Sequence, residues 1–86
     1  MPMSIEVWDE QRAWAEAVIE RTYAPQQARI RVEIAARQED LADAVARRDP
    51  AAIVHEAGRL AERLTALAEW DRMERELRAR FGGGDS

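Results

Sequence analysis

His55, the chain's only histidine, and the carboxylates between Asp71 and Glu76 are the residues whose types could do chemistry in this 86-residue protein. Helical carboxylate–histidine metal sites place ligands at i, i+3 or i, i+4, because that spacing brings them to one side of a helix. Around His55 those positions hold Ala51, Ala52, Gly58 and Arg59. None coordinates a cation in the usual way, Arg59 repels one, and Glu62 lies two turns away. No metal or cofactor is therefore expected. The chain lacks cysteine and lysine, which excludes thiolate nucleophiles, Schiff bases and a phosphate-loop lysine. No serine has a histidine near it in sequence, and no glycine loop precedes a helix. Asp71–Arg75, Glu74–Arg78 and Glu76–Arg80 are i, i+4 pairs, the pattern of a solvated helix surface rather than of paired catalytic carboxylates. A non-enzymatic protein is expected.

Two short stretches resemble known families. "HEAGR", His55 to Arg59, is similar to the active segment of histidine phosphotransfer domains, helical bundles whose exposed histidine is followed by lysine at +3 and glycine at +4. Here Gly58 stands at +3 and Arg59 at +4, and the resemblance covers five residues. It implies a phosphate carried on His55. "RIRVEI", Arg29 to Ile34, alternates as a strand would, with Ile30, Val32 and Ile34 on one side. Followed by two helical segments, it resembles the ribbon–helix–helix regulators, which implies a dimeric DNA-binding protein with Arg29 and Arg31 reading bases. The long acidic leader departs from that pattern, as does the absence of a glycine or asparagine turn between the helices.

The elements that would carry these residues read as helices. The first is expected over residues 5–23, with Ser4 as N-cap. Ile5, Trp8, Ala15, Ile19 and Tyr23 line one face, and Val7, Trp14 and Val18 a second strip about 90° away. The second is expected over 25–48. Ile30, Ile34, Leu41 and Val45 share its apolar face, Arg37 or Gln38 interrupts it, and Arg29, Glu33 and Arg37 form a surface ladder. Pro25 either opens this helix after a turn or kinks one long helix. The third is expected over 50–81, capped by Asp49 and Pro50 and stopped by Gly82. Its Ile53, Ala57, Leu60, Leu64 and Leu67 keep coiled-coil spacing. Trp70, Met73, Leu77 and Phe81 then cluster on a face rotated by about 110°, so the two halves are expected to bury different sides.

The fold class that follows is all-α: a single helical domain over 1–81 with a glycine-rich tail at 82–86. It is either a three-helix bundle or a kinked long hairpin, assembling into a dimeric or higher helical bundle. A chain this short buries only about 60% of its unfolded surface, so a private core is marginal. The net charge of −4 belongs to residues 1–20, which leaves no basic patch for nucleic acid. No stretch approaches the roughly 18 apolar residues of a membrane span, the N-terminus does not read as a secretory leader, and a cytoplasmic protein is the default. The expected function is a protein–protein interaction or oligomerisation module, such as an accessory subunit, adaptor or inhibitor. Its expected partner is itself or another protein, met through Trp8, Trp14, Trp70, Met73, Leu77 and Phe81. The DNA-binding regulator is the alternative and phosphotransfer through His55 the lesser one.

Overall fold

The computed structural model describes residues 5–81, with side chains over 9–81, and apart from one tight turn these residues are helical. Ser4, the side chains of Ile5, Val7 and Trp8, and the 82–86 tail lie outside the described residues. The order is α1 (Ile5–Val18), a π turn (Ile19–Tyr23), α2 (Ala24–Ala46) and α3 (Pro50–Phe81). The segment Arg29–Ile34 lies within α2, which corrects the strand reading of "RIRVEI". Alanines at 28, 35 and 36 and the helix-forming residues around them outweigh three β-branched side chains.

The chain does not reverse at Pro25. Proline lacks the N–H that would bond the Arg21 carbonyl, and its ring crowds that carbonyl. The helix responds by widening just upstream, where the Ala24 N–H donates to Ile19 O, five residues back. The π turn also aligns two buried faces. Ala15 and Gln27 are both buried, yet twelve residues of ideal α-helix would set them about 120° apart. The underwound turn removes much of that angle, so α1 and α2 present one continuous inner side. Together they form an arm of about 63 Å at 1.5 Å per residue, close to the 66 Å long dimension of the molecule.

The real reversal comes at residues 47–49. Arg48 adopts φ 56°, donates to Val45 O, and is followed by Asp49 donating to Ala44 O. These are the paired bonds of a Schellman ending, with arginine in the left-handed position that usually falls to glycine. Asp49 then caps α3 by accepting from Ala52 N–H through Oδ1 at 3.2 Å, with Pro50 in the first helical position. α3 returns antiparallel to α2, as the cross-arm pairs Glu33–Arg63, Gln27–Asp71 and Glu16–Arg78 show.

The contact between the arms is a seam of alternating three- and four-residue steps. In the first arm it runs through Tyr23, Gln27, Ile30, Ile34, Arg37, Leu41 and Ala44, all buried or half-buried. Val45, expected on this face, is 53% exposed, because the 3–4 rhythm selects Ala44. In α3 the seam runs through Ile53, Glu56, Leu60, Arg63, Leu67, Trp70, Glu74, Leu77 and Phe81. This corrects the expected change of face at Trp70. Ala57 and Leu64 point outward, Glu56 and Arg63 take the seam positions instead, and one stripe serves the whole helix. Six of the nine seam positions of α3 are apolar, and Glu56, Arg63 and Glu74 complete the stripe.

Such a seam encloses little. Among the described residues Ala15, Ile19, Ile30 and Ala44 are the buried apolar ones, and no large side chain is fully buried. The radius of gyration is 19.0 Å, against about 12 Å for a compact chain of this length. The fold is an extended pair of helical arms with a thin contact between them.

Candidate interaction surface

Among the described residues Gln27 is the buried polar side chain, only 4% exposed. Its Nε2 donates to Asp71 Oδ1 at 2.9 Å and to Glu74 Oε1 at 2.8 Å, so both amide hydrogens meet carboxylates of α3. Glu74 also accepts from Arg78 Nε at 2.9 Å, and the Arg78 guanidinium reaches back to Glu16 of α1. The chain Glu16–Arg78–Glu74–Gln27–Asp71 therefore ties all three helices where α1 gives way to α2. The Glu74 carboxyl is held below its ordinary range, chiefly by the Gln27 hydrogen bond, then by Arg78, with Arg31 adding a weaker field. Partial burial opposes this and loses.

Other expected pairings rearrange for the same reason. Glu33 leaves the Arg29–Glu33–Arg37 ladder and pairs with Arg63 across the seam at 3.0 Å, while Arg29 bonds Gln26 and Arg37 bonds Asp40. Among the described residues Asp71 and Glu76 do not pair with Arg75 and Arg80. Asp71 accepts from Gln27, and Glu76 meets Arg72 at 3.8 Å. A local ladder is worth only about 0.2–0.5 kcal/mol per pair, so a partner on the facing helix displaces it easily.

The described aromatic residues lie from mid-hairpin outward, away from the turn. Trp14 meets Phe81 edge-on at 5.6 Å, and Tyr23 meets Trp70 edge-on at 5.3 Å. Trp70 and Leu77 are half-buried in the seam, and Phe81 is half-buried against Trp14. Trp14 is 55% exposed and Met73 38% exposed. Beside them Tyr23, Met73, Glu76, Leu77 and Arg80 line an open groove. The Trp8 side chain lies outside the described residues. Of the five described residues expected to make contacts, Trp14 and Met73 are exposed, and Trp70, Leu77 and Phe81 are half-buried.

His55 is exposed on α3 with its seam-side neighbours Glu56 and Arg59 3.8 Å apart. Arg29 and Arg31 are exposed on α2, on opposite flanks of Ile30. Among the described residues no three His, Asp or Glu side chains converge as a metal site would require, and no helix is long and apolar enough to cross a membrane. Sequence reasoning missed Gln27. Its signal was a polar residue at a seam position, visible only once the 3–4 rhythm of α2 was extended back through Pro25.

The fold and surface define a class, the antiparallel pair of long helices joined by a tight turn. Compared with known proteins, the chain matches no family model, no curated protein and no solved structure.

Proposed function

We propose that this protein is a non-enzymatic interaction module that works by association, as a small accessory subunit, adaptor or inhibitor would. The observation that carries this reading is the imbalance between what the arms bury and what they leave out. Trp14, Val32, Val54 and Leu64 are each about half or more exposed, while the seam spends its interior positions on Gln27, Arg37, Glu56, Arg63 and Glu74. Large apolar side chains outside and polar ones inside suit a chain whose apolar surface is completed by another molecule.

The contacts to a partner protein are assigned to the aromatic end, through Trp14 and Met73, with Trp70, Leu77 and Phe81 behind them and Trp8 on the same arm. Tryptophan and methionine in this setting supply large contact area at low polar cost. Capture from the native host with the wild-type chain and with Trp14→Glu/Met73→Glu tests the reading. A distinct protein retained by the wild type and lost from the variant supports it. Equal retention by both, or nothing retained beyond the chain itself, contradicts it.

A further inference from the structure

The heptad positions of α3 divide its charges cleanly. Between residues 51 and 68 every ionisable side chain lies in the seam or on one flank of it. That flank borders the groove formed by Glu33, Arg37, Arg59, Glu62 and Arg63. The opposite flank carries Val54, Ala57, Ala61, Leu64 and Ala68, spaced 3-4-3-4 and all exposed, Val54 at 74% and Leu64 at 48%. The matching flank of α2 carries Ala35, Ala42 and Val45, exposed as well, with Gln38 among them and Arg31 one turn before Ala35. Both flanks face the same way. Arg31 lies close enough to help hold the Glu74 carboxyl ionised, and Gln27 bonds Asp71 on that side. Over residues 51–68, the part nearer the turn, the hairpin thus has one charged face and one whose only charge is Arg31, before Asp71, Arg75 and Arg78 restore charge to that flank.

We propose that the uncharged face is where a second copy of this chain packs, side by side, to make a four-helix dimer. The proposal rests on the reading above that the protein works by association, and it names the surface used for self-association. Area supports a second copy as the occupant. The molecule exposes 6378 Å², against about 5,200 Å² for a compact protein of its mass, an excess of about 1,200 Å². A standard interface removes about 800 Å² from each partner, so one side-by-side contact accounts for most of the excess. Chemistry points the same way. A partner recognised through charge finds almost no counter-charge here, whereas a two-fold copy brings an identical uncharged face. Alanines let helix axes approach to about 8 Å, and Val54 and Leu64 are the projections that fill the spaces between.

Sedimentation equilibrium of the full chain from low to high micromolar concentration tests this, with Leu64→Glu and Met73→Glu compared. Leu64 is exposed in the single hairpin and glutamate suits a helix, so the helical circular dichroism of Leu64→Glu is retained. The wild type and Met73→Glu sediment as two chains. Leu64→Glu raises the dissociation constant at least about 100-fold, since each of two copies loses a buried leucine worth roughly tenfold. A wild type that stays monomeric overturns the proposal, and so does a dimer split by Met73→Glu and not by Leu64→Glu. Either result leaves partner capture through the aromatic end to be judged by its own experiment.

Discussion

Gln27 Nε2 stands 2.8 Å from Glu74 Oε1, joining the buried amide of the first arm to a carboxylate that occupies a seam position of the second. An amide that gives both hydrogens to carboxylates accepts only one alignment of the arms. A slide of one residue would strand a buried donor, at about 1–3 kcal/mol. A polar seam residue of this kind trades stability for register, and it accounts for how so few apolar contacts still specify one pairing.

Replacing Gln27 tests that role. Gln27→Ala removes the donor shared by Asp71 and Glu74 and is expected to lower unfolding stability by about 1–2 kcal/mol. Gln27→Leu is expected to recover part of that loss by apolar contact while loosening the alignment. Urea titration reads the first effect. Cross-arm distances from paired spin labels read the second, as a distribution broader in Gln27→Leu than in the wild type.

Acid should unlock the same network. The Glu74 carboxyl is lowered in the folded chain by the Gln27 and Arg78 hydrogen bonds. Its stabilising contribution is therefore complete above the ordinary carboxylate range and is lost as pH falls through the lowered folded value. Glu74→Gln is expected to melt lower than wild type at neutral pH, with the gap closing as pH drops below about 4. A gap that stays constant with pH would show that the contribution does not depend on the charge of Glu74.

The turn offers two opposite changes. Arg48 holds φ 56°, where a side chain costs about 1 kcal/mol, so Arg48→Gly is expected to stabilise the hairpin by about 0.5–1 kcal/mol. Asp49→Ala removes the cap on Ala52 N–H and is expected to cost about 1 kcal/mol. Thermal melts of the two variants should move in opposite directions.

Gly58 has no conformational reason to be glycine. A Cβ built there meets nothing within 4 Å, and the residue lies inside α3. Gly58→Ala is expected to raise stability by about 0.5–1 kcal/mol through helix propensity alone. A loss instead would reveal a close neighbour at this position in the assembled state.

Much of this fold can be read from particular residues. Asp49 and Pro50 mark the start of α3 because capping is a local property, and the absence of strands among the described residues follows from a composition dominated by good helix formers. What resists reading is which side each helix buries. Ile53, Ala57, Leu60 and Leu64 outline an apolar stripe, yet Ala57 and Leu64 face outward while Glu56 and Arg63 turn toward α2. Ile53, Leu60, Leu67, Trp70, Leu77 and Phe81 do mark the buried stripe in α3, but only the pairing of Glu33 with Arg63 across the seam shows that Arg63 rather than Leu64 faces α2. The passage through Pro25 is similar. A proline marks a disturbance, and only the bond from Ala24 to Ile19 shows that the helix absorbs it as a π turn. The aromatic residues stand out in the sequence by type, but their division into half-buried Trp70 and exposed Trp14 depends on the rotation this turn supplies.

Small-angle X-ray scattering of the wild-type chain across a concentration series tests most directly whether the hairpin works as an assembled rod. The account predicts a forward intensity matching two chains of 9.8 kDa, with a maximum dimension still close to the 66 Å of one hairpin. With the two turns at the same end, side-by-side packing adds thickness rather than length. A mass of one chain at every concentration, or two chains joined into a particle nearly twice as long, would contradict it.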